Sequence, residues 1–395
     1  MADIVLKSID SVEDWVEKHD YKGYEPFDGL TSYLYKFTFG SRLLRQILQQ
    51  SIRRFPLNIR PILGVKPLDS TKGRGYMAWG YIKRFEATNK NKFKEKAFSC
   101  LDWLDRNKSP FYAQHSWGNH FDYSSRGGNI WKNISTVVWT GLIGQVFLEA
   151  YRIWGEKRHL EVIASVRDWI MALPREETDH GLCLSYIMEK QSSIHNSNMI
   201  GAAFLAGASK LINDSNALSV AQKAMEYSCS CQLDTGAWYY GEATKYHWVD
   251  VFHTGYNLDS LKRYIDYSND FSFNSNLEKG FIFFKKNFFK STGQVKYYDI
   301  TAEPIDIQCF SQAIDTLVLF SKKDPECLSI ANKAAIWTIN NFQDKKGFFY
   351  FRIYPLGIKN KAPMIHWGQA TMHKALSNLM LGLGSQEPKQ NGIFN

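Results

Sequence analysis

Cysteine is scarce in this chain, six among 395 residues, and no two stand at CxxC or zinc-ribbon spacing. A disulfide framework and a dithiol redox site are therefore not expected, and the thiols read as free and mostly buried, as in a reducing compartment. Long apolar runs are missing too: the longest, Thr136 to Trp154, contains Gln145, Glu149 and Arg152, so it reads as a buried helix and not a membrane span. The first residues, Met1 to Lys7, have neither the basic nor the apolar region of a secretory signal, and a cytoplasmic location is expected. There is no GK[ST] phosphate loop, no Asp-rich motif of the kind that starts terpene cyclisation, and no nucleic-acid reading module. No metal, cofactor or nucleic acid is expected.

Charge is present but unevenly placed. Residues 1–30 carry eight acids against three lysines, whereas 31–108 carry seventeen Lys and Arg against five acids. One side of the protein should therefore be basic, suited to an anionic glycan, a lipid diphosphate or a membrane surface.

Glycine supplies the architecture. Gly73, Gly127, Gly181, Gly236, Gly293 and Gly347 follow one another at steps of 54, 54, 55, 57 and 54 residues, the mark of a repeat protein. Apolar spacing near 3.6 predicts one helix before each glycine (30–54, 92–106, 157–172, 215–231, 273–289, 325–342). It predicts a second after each (76–88, 134–154, 197–212, 254–268, 305–321, 368–383). The first set is amphipathic and the second nearly apolar all round, as for an outer and an inner layer. Twelve such helices predict an all-α (α/α)6 toroid of six hairpins with short β-turn segments. It would span 29–384, after an acidic segment 1–28 and before a polar tail 385–395. Two turns read Gln232-x3-Gly236-x-Trp238 and Gln343-x3-Gly347-x-Phe349, a pattern like that of terpene cyclases and protein prenyltransferases, so a prenyl-handling toroid is one alternative.

In such a ring the loops entering the inner helices line a cavity, and helix N-termini there favour anionic ligands. Three of the ten histidines, His195, His253 and His366, fall 14, 17 and 19 residues after their glycines and suit proton transfer near neutral pH. Asp250, Asp306 and Glu303 are the acidic candidates for catalysis, with N-capping as the simpler role for Asp306. Asp122, Tyr123, Lys132, Asn133, Asn196, Asn198, Gln308 and Gln369 could meet sugar hydroxyls, and Trp131, Trp248 and Trp367 could stack on a sugar ring.

The segments Asn129-Ile-Trp131-Lys132-Asn133, His195-Asn196-Ser197-Asn198, Trp248 to Leu261 and His366-Trp367-Gly368-Gln369 resemble the VpsJ-like proteins of exopolysaccharide-biosynthesis clusters, within the six-hairpin glycosidase-like superfamily. The likeness runs over about residues 60–384. It implies carbohydrate handling in surface-polysaccharide assembly: an enzyme of hydrolase, lyase or epimerase type, or a non-catalytic glycan-binding or scaffold subunit. A lyase or epimerase would rely on the histidines, and a hydrolase on the acids.

Overall fold

The computed structural model describes residues 2–125, 127–191 and 193–384; the expected tail lies outside them. The helices are α1 (Ala2–Lys18), α2 (Arg42–Arg54), α3 (Thr71–Thr88), α4 (Asn91–Arg106), α5 (Val137–Trp154), α6 (Lys157–Met171), α7 (His195–Ile212), α8 (Ser215–Ser230), α9 (Val251–Ser268), α10 (Asn274–Phe288), α11 (Ile307–Phe320), α12 (Glu326–Phe342) and α13 (Thr371–Gly384). A π-turn, Ile365–Ala370, leads into α13.

The inner helices α3, α5, α7, α9, α11 and α13 each pack on the next, and α13 returns to α3. The ring is thereby closed: the fold is an (α/α)6 toroid. Helices α4, α6, α8, α10 and α12 back the inner helix that precedes each of them. The sixth outer place differs from expectation. The sequence pattern predicts it over 30–54, but α1 takes it, packing on both α12 and α13. Val5, Ile9, Val12 and Val16 recur at helical spacing along α1 and are buried to within 1%, so this is the stripe that can close the ring. Helix α2 stays outside it, across one end.

Helix ends follow local chemistry. Ser70, Thr136, Asp250 and Asp306 each cap an inner helix, accepting a hydrogen bond from the backbone N–H two or three residues on. Four inner helices, α3, α5, α7 and α9, end on left-handed residues, Asn89, Gly155, Asn213 and Asn269, and the following outer helix starts almost at once. Connections at that end of the ring are short, so the long outer-to-inner loops collect at the other end.

The repeat glycines lie in those long loops. Gly236 has φ +91°, and a Cβ on it would stand 2.3 Å from the Lys279 carbonyl on α10; Gly347 has φ +100° and meets the Ser11 carbonyl of α1 at 2.2 Å. Each therefore lies against the next outer helix with no room for a side chain. Gln232 Nε2 donates to the carbonyls of Gly236 and Asn276, and Gln343 Nε2 to those of Gly347 and Ser8, so the glutamine ties each turn to the neighbouring helix. Gly73 departs from the pattern. Expected in a turn, it lies in the first turn of α3, because the Ser70 cap starts the helix earlier than apolar spacing indicates.

The strands are short. Hairpins β1 (Tyr123–Ser125) with β2 (Gly128–Ile130) and β3 (Arg175–Thr178) with β4 (Gly181–Leu184) precede α5 and α7. β5 (Ile305–Asp306), β6 (Arg352–Ile353) and β7 (Lys359–Asn360) form a three-stranded antiparallel patch.

Candidate functional site

Counting from each cap, the second residue of the six inner-helix entrances is Lys72, Val138, Asn196, Phe252, Gln308 and His366; the third is Gly73, Trp139, Ser197, His253, Cys309 and Trp367. The ring thus sets one crown of side chains around the loop end. His366, His253 and Trp367 belong to it as expected positions, and Lys72 and Trp139 join them.

His366 Nδ1 donates to the carboxylate of Glu25, and both side chains are 3% exposed. Glu25 is held there by its backbone, since Tyr24 bridges Met364 and its carbonyl accepts from the Ile365 N–H. Burial holds the imidazole below its ordinary pKa against the opposing pull of Glu25. The pair is therefore a carboxylate and a neutral ring, whose Nε2 is buried with no hydrogen-bond partner. An imidazole with Nδ1–H fixed and Nε2 vacant is set up as a base.

His253 repeats the device. Its Nδ1 donates to Asp250 Oδ2 at 2.6 Å, while its backbone N–H donates to Asp250 Oδ1 at 2.8 Å and Trp248 Nε1 to Oδ2 at 3.0 Å. Asp250 is 2% exposed, and its three donors commit the carboxylate to capping the helix and orienting the imidazole. The Tyr240 ring lies 4.5 Å from the His253 ring and stacks on Trp248 at 4.6 Å. Phe252 meets Trp367 edge-on at 5.5 Å, and Trp367 meets His366 at 5.5 Å, so the two histidines share one aromatic-lined end.

Lys72 stands between them. Its Nζ lies 4.7 Å from the Trp139 ring centre, 5.6 Å from Tyr256 and 5.7 Å from Tyr76, with no ion pair among the described residues. The residue is 4% exposed, and burial pushes its pKa down to about 8, with the charge of Glu25 opposing. Tyr256 OH accepts from Gln308 Nε2 at 2.9 Å and bonds Tyr76 OH at 3.1 Å. Gln308 Oε1 and Asn196 Oδ1 are buried and unpartnered. His120, under the influence of Glu25 and His366, is pushed down to about 4 by burial.

Other expected residues have different places. Asp306 is wholly buried: Oδ1 accepts from Gln308 N and Trp367 Nε1, and Oδ2 from the Arg352 guanidinium. Glu303 is exposed on a loop. His195 lies at 2.7 Å from Glu242 through Nε2 and 3.3 Å from Ser228 through Nδ1. With Cys231 it forms a His–Cys–Glu group whose ligand atoms lie within 4.8 Å of one another. Asn198 is spent on Leu184 N, the Ala224 carbonyl and Ser228, and Gln369 on both backbone groups of Phe349. Asp122 accepts from Lys132 N, and Asn133 is a left-handed turn residue. Tyr123 hydrogen-bonds Tyr186, while Trp131 is 45% exposed beside Arg45. The six cysteines are free.

Sequence reading missed Glu25, Lys72 and His120. Ser70 as a cap two residues before Lys72 was the available signal for one of them. Glu25 looked like one acid among eight.

No protein-family model matches the chain, and no curated protein does. Solved structures do. The cellobiose 2-epimerase of Bacillus thermoamylovorans B4167 superposes with a TM-score of 0.61 at 10% identity, covering 80% of this chain and 90% of that one. A GH76 α-mannanase of Bacteroides thetaiotaomicron gives 0.61 at 11%, covering 80% and 86%. A D-mannose isomerase gives 0.57 at 14%, covering 80% and 87%. The likeness is one of fold, the (α/α)6 toroid.

Proposed function

We propose that this chain is a cytoplasmic carbohydrate-active enzyme of exopolysaccharide assembly, of the VpsJ-like kind, that moves a proton at a sugar carbon in the manner of an epimerase or isomerase. The observation that carries this reading is the pair of histidines at one end of the ring, each with Nδ1 held by a buried carboxylate. A base on one side and an acid on the other suffice to remove a proton beside a carbonyl and return it. His366 Nε2 is the base, and His253 is the partner. Hydrolysis needs two carboxyl groups facing across a scissile bond, whereas Glu25, Asp250 and Asp306 are engaged with His366, His253 and Arg352. Lys72 and the helix N-termini favour an anionic sugar, such as a uronic acid or a phosphorylated one. Two sugar epimerases and a D-mannose isomerase are among the structural neighbours, which supports this reading.

The test is incubation in D2O with a panel of reducing sugars, uronic acids and sugar phosphates, read by NMR. Deuterium entering beside the carbonyl, and lost in His366→Ala and His253→Ala, is expected. Release of new reducing ends without exchange would overturn the proposal in favour of hydrolysis. A second reading, a glycan-binding or scaffold subunit without catalysis, draws on how little free space lies beside Tyr76, Trp79 and Tyr256, a cavity of about 20 Å³ with room for about one water. Saturable glycan binding with no exchange would favour it.

A further inference from the structure

The segment between α1 and α3 crosses the same end of the ring as the crown, carrying Glu25 to His366 and Phe27 to within 6.4 Å of Trp367. Its helix α2 buries Ile52 but leaves Leu43, Leu44 and Ile47 exposed. Gln46 and Gln49 face the body, where Gln46 Nε2 donates to the Ser125 carbonyl and Gln49 bonds both backbone groups of Ser124. Leu43 and Ile47, one helical turn apart on the opposite face, are 64% and 52% exposed. Phe39 before the helix and Ile62 after it are 83% and 76% exposed. Nine of the nineteen exposed large apolar side chains among the described residues fall between 33 and 62, so exposed apolar surface is concentrated on this one segment.

The charge around the patch has one sign. From Gly29 to Leu68 there are seven Lys and Arg and no acid. Arg60 is consumed by buried Asp28, but exposed Lys36, Arg54 and Lys66 have no carboxylate within salt-bridge distance among the described residues. A second copy of the chain, docked face to face, would set this positive patch against itself. A surface that takes apolar side chains and attracts several cations at once is an anionic bilayer.

We infer that the 33–62 segment is an interfacial membrane-docking element for anionic lipid. Leu43, Ile47 and the flanking apolar side chains enter the headgroup region, and Lys36, Arg54 and Lys66 meet lipid phosphates. No helix of the described residues is long and apolar enough to cross a membrane, so the contact is with the surface. Docking would turn the crown end toward the bilayer. The inference deepens the proposed function by naming its surface, but it stands on the patch alone and is tested without turnover.

The test is sedimentation of the full chain with phosphatidylcholine vesicles and with vesicles containing phosphatidylglycerol. Binding to the second only, weakened at 0.5 M NaCl, is expected. Leu43→Ser/Ile47→Ser and Lys36→Glu/Arg54→Glu should each weaken it at least tenfold while leaving the thermal melt and the D2O exchange unchanged. No binding to either vesicle overturns the inference, as does binding that neither variant changes. A concentration-dependent dimer lost in Leu43→Ser/Ile47→Ser would also overturn it, by assigning the patch to a second copy. Vesicle binding without sugar exchange would leave docking standing and remove the catalytic reading.

Discussion

Lys72 gives the sharpest quantitative test of the crown, because a buried cation without a counter-ion should destabilise the fold that carries it. Its pKa falls from 10.5 to about 8 through burial. Between those values the unfolded chain holds the proton more tightly than the folded one, so stability rises with pH across that window. Below about pH 8 the cost is fully present, about 3 kcal/mol at pH 7. The ring faces of Trp139, Tyr256 and Tyr76 return part of it, about 0.5–1 kcal/mol each. Lys72→Met keeps the length of the side chain without its charge, and is expected to stabilise the protein by about 1–2 kcal/mol at pH 7. For a chain of 395 residues that is a rise in Tm of only about 1–2 °C, so urea unfolding at pH 7 and pH 10 is the better assay. The gap between the two proteins should close toward pH 10, a double difference that is insensitive to small packing changes. The variant should at the same time lose affinity for an anionic sugar. A Lys72→Met protein less stable than the parent, with the same gap at both pH values, would refute the reasoning that burial without an anion governs this lysine.

Glu25→Gln removes the carboxylate that fixes the His366 tautomer while keeping its shape, and should lower turnover roughly 10²–10⁴-fold. The acid limb of the pH profile should move to lower pH, since Glu25 is what raises the imidazole against burial; an unmoved profile would argue that His366 is not the base. His159, 2% exposed with neither ring nitrogen partnered, is pushed down to about 4 by burial. Its contribution is intact above pH 6.5 and is lost as pH falls toward 4, so His159→Phe should gain about 2 kcal/mol on the parent at pH 5 relative to pH 8, read by urea unfolding. Gly236→Ala forces a side chain onto the Lys279 carbonyl at positive φ and should cost about 2–3 kcal/mol by the same measurement.

The ring was legible because its glycines are spaced by geometry. Gly236 and Gly347 are each pressed against the next outer helix, so the period of the sequence is the period of the structure. What misled was chain order. Six outer helices counted in sequence require one at 30–54, but a closed ring lets the chain's first helix complete its last hairpin, as the contacts of Gly347 with Ser11 and of Gln343 with Ser8 show. His253 and Asp250 were legible because both lie within one helix entrance. Glu25 was not, because its partner His366 is 341 residues away, and nothing in an acidic segment marks one carboxylate as the buried one. Lys72 was hidden by the same early start of α3 that moved Gly73 out of its expected turn.

Asp250 and Asp306 make the general point. Both cap inner helices, both accept from a tryptophan indole, and both are at most 2% exposed. In one case the third helical residue is His253, whose ring donates to the carboxylate and is oriented by it. In the other it is Cys309, which makes no such claim, and Arg352 arrives from β6 to neutralise the charge. One cap therefore directs a proton-carrying ring, and the other closes a buried ion pair whose disruption would leave an uncompensated charge. The difference between them lies in where the partner comes from: His253 is three residues on in the same helix, whereas Arg352 is brought to Asp306 by the tertiary fold. Acidic residues at repeat entrances are thus weak markers of catalysis in a toroid, whereas a histidine three residues after such a cap inherits both its orientation and its place on the crown.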